Sequence, residues 1–146
     1  MPLISWRHDH RRILMPIAIF PSLREPNATQ TCTIRGLVDT GATGTGIRRN
    51  IIDQLSLPIK GYRRVGTANG DIKATEHLIR IGMYPGEYNM PDYNPPEIMP
   101  FVIERELLVY SLHPQFTYAA IIGMDVIAAG EFCLNSNGTV SLFVNT

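Results

Sequence analysis

Thr31-Cys-Thr-Ile-Arg-Gly-Leu-Val38 runs directly into Asp39-Thr40-Gly41-Ala42, and the reading of this stretch decides the fold. The first eight residues are rich in β-branched and apolar types, as a strand requires. The next four make a tight turn. Gly41 tolerates backbone conformations closed to other residues, and Asp39 and Thr40 bring side-chain oxygens that turn backbones bond to. A strand thus delivers a carboxylate to a sharp corner, beside a hydroxyl and a residue with no side chain. Turn capping would account for an Asp here in any β protein. Acid–base chemistry is the alternative, and the surrounding sequence decides between them.

Upstream of the corner, residues 13–20 read as a buried-type strand, with Pro16 at an edge or bulge. Residues 21–30 read as a loop, so the two strands form a hairpin that ends at Asp39. Residues 1–12, containing Trp6-Arg-His-Asp-His-Arg-Arg12, read as a polar, basic arm, and residues 13–146 as one domain. Downstream, Ile47, Ile51, Ile52 and Leu55 have helical spacing, and Pro58 stops that helix at two turns. Residues 62–82 alternate around Thr67-Ala68-Asn69-Gly70-Asp71. Asn-Gly between strand-like arms predicts a long hairpin with its tip at 68–71. Residues 83–100 hold five prolines and three tyrosines and read as a long loop. Residues 101–103 and 107–112 read as strands. Ile121-Ile122-Gly123 closes a second apolar run. A short helix follows over 124–129, ended by Gly130 in a left-handed conformation. Residues 131–135 and 139–144 form a last hairpin. The whole is mostly β, with two short helices.

Composition narrows the function. The chain has 146 residues, 45% apolar and 18% charged, which suits one globular domain rather than a disordered chain. Thirteen basic residues balance thirteen acidic ones, which argues against nucleic-acid binding by phosphate neutralisation. No apolar run approaches the ~18 residues of a membrane span, so no membrane partner is expected. The apolar stretch after Arg12 is short, broken by Pro16 and without a small-residue cleavage site, and is not read as a signal peptide. Cys32 and Cys133 lie far apart in strand-like runs and read as buried free thiols, with a disulfide between them as the alternative; the free-thiol reading is in keeping with a cytoplasmic location. His8 and His10 have no third ligand at suitable spacing, so no metal is expected.

Three features occur in order: a strand into Asp39-Thr40-Gly41-Ala42, a glycine-containing hairpin about thirty residues later, and Ile121-Ile122-Gly123 before a short helix and a final strand pair. Together they resemble the retropepsin family, the single-domain retroviral-type aspartic proteases with their bacterial and other cellular relatives. The resemblance covers about residues 13–144 and implies a closed, barrel-like acid protease fold. It also implies an aspartic endopeptidase that cleaves polypeptide without metal or cofactor. Aspartic protease chemistry needs two carboxylates sharing one proton around a water. Asp9, Asp53, Asp71, Asp92 and Asp125 all lack a following Thr/Ser-Gly. A competent site therefore calls for a two-fold homodimer with Asp39 from each subunit.

The same resemblance implies the remaining roles. Thr40 would hydrogen-bond across the two-fold axis, and Gly41 would let substrate approach and offer its carbonyl, with Ala42 completing the turn. Ala68, Asn69, Gly70 and Asp71 would form the tip of a flap over an extended peptide. Ile121, Ile122 and Gly123 would support the active-site turn from beneath. Thr139–Val144 is a candidate strand for an intersubunit sheet. Two departures stand out. Many retroviral enzymes carry an acid where this chain has Thr43 and an arginine where it has Met124; both are missing together, so no charge is left unpaired. The flap tip is more polar than the retroviral one, and the 83–100 loop is long. These leave open an alternative function, a dimerisation or peptide-binding module with little or no turnover.

Overall fold

A computed structural model of the protein describes residues 3–88 and 99–144. The strands in chain order are β1 (Leu3–Arg7), β2 (Leu14–Pro21), β3 (Cys32–Val38), β4 (Gly46–Arg48), β5 (Gly61–Thr67), β6 (Gly70–Met83), β7 (Gly86–Tyr88), β8 (Phe101–Val102), β9 (Leu107–Leu112), β10 (Ala120–Ile122), β11 (Gly130–Leu134) and β12 (Thr139–Val144). Two short helices, α1 (Arg49–Gln54) and α2 (Met124–Ile127), follow β4 and β10.

One sheet path runs β2-β3-β10-β4-β9-β6, and β6 then pairs back onto β2. These six strands close in a barrel-like ring. The fourteen residues of β6 make this possible. Its first half pairs with β5, its middle with β9 and its end with β2 and β8. Alternation along the strands supplies the core. Met15, Ile17 and Ile19 of β2 and Ile79, Ile81 and Met83 of β6 are at most 1% exposed. Each such side chain contributes about 1.5–3 kcal/mol of burial free energy. Pro16 faces Arg35 of β3 and lies just outside the β6 pairing, which begins at Ile17, so it takes an edge position on that side.

A second sheet, ordered β11-β12-β1-β7, packs Ile4, Trp6, Val140, Leu142 and Val144 into the same core. Here the structure departs from the sequence reading. Residues 3–7, expected in a free arm, form β1, because Ile4 and Trp6 alternate inward and pair against β12. β12 has β11 on one side and β1 on the other, so both edges of Thr139–Val144 are occupied within the chain.

Smaller differences have local causes. The expected 47–55 helix begins at Arg49, because Ile47 is fully buried in β4. Gly130 has no positive φ; it opens β11, where a Cβ would sit 1.9 Å from the Phe143 carbonyl oxygen, so its role is space rather than handedness. Both cysteines are free, but Cys133 is exposed and Cys32 only half-buried. Of the expected 83–100 loop, residues 86–88 form β7, and residues 89–98 lie outside the described residues.

Candidate active site

β3 ends at Val38, and Asp39 enters a turn fixed almost entirely by backbone groups. The Asp39 amide donates to the Ile122 carbonyl (2.9 Å), and the Ala42 amide donates back to the Asp39 carbonyl (3.1 Å). One Asp39 carboxylate oxygen, Oδ1, accepts from the Gly41 amide at 2.8 Å. The carboxylate is thus oriented by its own turn while the residue stays half-buried, and Thr40 and Gly41 remain exposed.

Ile121 and Ile122 run parallel to Leu37 and Val38 in the adjacent strand. Gly123 follows at the point where the backbone crosses beneath the turn. A Cβ there would lie 2.5 Å from the Gly44 carbonyl oxygen and 2.9 Å from that of Ala42. The Met124 amide donates to the Ala42 carbonyl at 2.8 Å, tying the crossing to the turn. The structure therefore brings Asp39, Thr40, Gly41, Ala42, Ile121, Ile122 and Gly123 together.

A contact that the sequence reading missed locks this crossing. Thr45 is fully buried. Its amide donates to Asp125 Oδ2 (3.1 Å), and its hydroxyl donates to Asp125 Oδ1 (2.7 Å). The same hydroxyl oxygen accepts from the Gly123 amide at 3.1 Å. Arg105 donates to the Asp125 carbonyl. These bonds join the far end of the Asp39 turn to the start of α2, in the neighbourhood of Thr43 and Met124. No local pattern marks them, since Thr45 and Asp125 lie eighty residues apart.

The β5–β6 hairpin faces the turn across a cleft of about 490 Å³. Asp39 and Gly41–Gly44 form one wall, Arg63–Thr67 and Ile72 the other, and Tyr110, Phe116 and Ile121 lie between them. Ala68, Asn69, Gly70 and Asp71 form the exposed tip and are not among the lining residues. The turn centres on Ala68-Asn69, with Gly70 following at φ +102°. Arg63 bonds Glu76 (3.0 Å) and lies over the Tyr110 ring, 5.3 Å from its centroid. Burial pushes the Tyr110 phenol above its ordinary pKa; Arg63 opposes the rise and the Asp39 and Asp125 carboxylates add to it. Tyr110 therefore stays a protonated group in the cleft, a role its place in a plain apolar strand did not advertise.

Asp39 also borders a second groove of about 640 Å³, on the side away from the hairpin. Its walls are the 8–13 segment, Leu37 and Val38, and Leu134–Ser136 after β11. His8 and His10 sit here, packed edge to face on each other, and His8 Nδ1 accepts the His10 amide at 2.9 Å.

The sequence model of the aspartyl protease family matches residues 28–82, which include the Asp39 turn and the β5–β6 hairpin. The structure of a retropepsin-like aspartic protease from Rickettsia conorii is similar, with a TM-score of 0.59 and 16% identity over 96% of this chain and 87% of that one. The EIAV protease complexed with an inhibitor gives a TM-score of 0.48 at 15% identity, over 83% of this chain and 89% of that one. No curated protein sequence matches the chain. The fold is that of a retropepsin-like aspartic protease, and the Asp-Thr-Gly corner lies inside the segment that matches the aspartyl protease family.

Proposed function

We propose that the protein is an aspartic endopeptidase that works as a homodimer, with Asp39 of each subunit flanking one water. The observation that carries this reading is the setting of Asp39. It is the only carboxylate lining the hairpin-covered cleft among the described residues. Asp125, the nearby alternative, has both oxygens engaged by Thr45. Half of a two-carboxylate site is therefore built with care, and the other half must come from a second copy.

In that dimer two carboxylates that close cannot both ionise cheaply, so they hold one proton between them. One acts as general base on the water, and the other donates to the peptide carbonyl. Activity should favour acidic pH, because one carboxyl has to stay protonated. Thr40, exposed beside Asp39, would bond across the axis. Gly41 leaves room for substrate backbone, and the β5–β6 hairpin acts as the flap above an extended peptide. The apolar cleft residues Val65, Ile72 and Phe116 favour apolar substrate side chains.

The test is cleavage of unstructured polypeptides by purified protein at acidic and neutral pH. Asp39→Asn should lower turnover by about 10²–10⁴-fold with the fold intact. Full activity in that variant would sink the proposal. One observation favours the weaker reading, a peptide-binding module: the polar tip at 68–71 stands clear of the cleft. Absence of acid-dependent cleavage, including self-cleavage sensitive to a statine-type inhibitor, in a protein that still binds peptide would select that reading.

A further inference from the structure

The Asp39 site needs a second copy under the proposed function, and the following inference rests on that reading. Where the second copy sits is a separate question. β1 and β12 already have strand partners on both sides within the chain: β12 lies between β11 and β1, and β1 between β12 and β7. The four-stranded sheet has two outer strands, and β7 is only three residues long.

β11 is different. Its amides and carbonyls alternate in direction, as in any antiparallel pair. The Asn135 amide donates to the Thr139 carbonyl at 2.9 Å, which sets the phase: Cys133 and Glu131 point their backbone groups toward β12. Phe132 and Leu134 then aim theirs outward, where no strand stands among the described residues. Natural edges are usually blunted by lysine, proline, a bulge or very short length. β11, Gly-Glu-Phe-Cys-Leu, carries only one charge, at Glu131. Leu134 is 59% exposed on it. Leu134 also borders the groove that contains Asp39, so this open edge leads straight to the incomplete site.

We propose that β11 is the strand through which two copies of this chain pair. The two β11 strands run antiparallel about a two-fold axis and join the two terminal sheets into one continuous sheet across the subunits. Each chain completes β1-β12-β11 by itself, and the copies dock as finished units. The axis passes beside Cys133 and brings the grooves that hold the two Asp39 turns together.

Pairing of the outward groups of Phe132 and Leu134 about a two-fold places the two Cys133 residues opposite or diagonal to each other, with Cα atoms about 4.5–8 Å apart. The experiment uses the full chain with Cys32→Ser, so that Cys133 is the only thiol, and a short bis-maleimide. A covalent dimer should form at dilute protein and disappear with Cys133→Ser. Leu134→Pro removes an outward amide and none of the bonds to β12, so sedimentation should show monomer with an unchanged far-UV circular dichroism spectrum. Cys133→Asp, at an exposed position, should do the same by placing like charges across the axis. A dimer that survives both substitutions and does not cross-link overturns this interface while leaving the Asp39 reading intact. A chain that stays monomeric at every concentration overturns it as well. Leu134→Pro raising KM for peptide at unchanged molecular mass would assign the edge to substrate and also overturn the pairing. Because mass and cross-linking are read without turnover, failure of the protease reading shows separately, in Asp39→Asn.

Discussion

A threonine that engages both oxygens of one carboxylate is more demanding than an aspartate that merely caps its own turn. Thr45 is fully buried, so its hydroxyl has no water to fall back on. Thr45→Val would keep the shape and remove the hydroxyl. Asp125 Oδ1 then loses a donor and the Gly123 amide loses its acceptor. The expected cost is about 1–3 kcal/mol of stability, read by urea unfolding. A change within error would show that the lock is ornamental. The comparison between Thr45 and Asp39 also shows what sequence could reveal at this scale. Asp39 was legible because its signal is local: strand, acid, hydroxyl, glycine. Gly123 was legible because an apolar run ending in glycine announces a close crossing. Thr45 and Asp125 were not, because neither residue type is unusual where it stands and their meaning lies in a contact across the fold. The missing ion pair at Thr43 and Met124 was visible, but the hydrogen bonds that hold the same region together were not.

Between elements, β6 is tied to the chain after α1 by one buried histidine. His77 is 2% exposed. Its Nδ1 faces the Leu57 and Pro58 carbonyls at 3.1 and 3.0 Å, and the Thr75 hydroxyl lies 2.8 Å from Nε2. Carbonyls only accept, so Nδ1 carries the proton and Nε2 accepts from Thr75. Burial lowers the His77 pKa below its ordinary 6.5, against the two carbonyl bonds that raise it. The unfolded chain then binds a proton more readily than the folded one. This contribution to stability is complete above pH 6.5 and is lost as pH falls toward the lowered folded value. Urea unfolding across this range should show the loss, and His77→Gln should flatten it. An identical slope in the variant would remove His77 as the cause. The consequence is a conflict, since the proposed chemistry favours the acidic pH that this joint resists. The β5–β6 hairpin, the β2–β3 hairpin and β9 were all readable, from Asn-Gly, from alternation and from apolar runs. β1 was not, because five residues with two inward side chains vanish beside a run of arginines and histidines. β4 was not, because its three residues share their apolar positions with α1 and mimic one longer helix.

For the molecule as a whole, the pairing of β1 with β12 has a consequence for connectivity. Leu3 and Phe143 are direct cross-strand partners, so their Cα atoms are about 5 Å apart. Topologically the chain is almost a ring, and its backbone could be cut elsewhere without leaving a strand unpaired. Joining the ends by a short glycine–serine linker and opening the chain between Ala68 and Asn69 would preserve the six-strand closure while severing the hairpin above the cleft. Such a permutant should keep its circular dichroism spectrum and its molecular mass and lose peptide turnover, which would separate the folding of the barrel from the covering of the site. If it failed to fold, the hairpin would be part of the scaffold rather than a lid carried on it. The order in which residues follow one another would then matter more to this protein than the order in which its strands lie side by side.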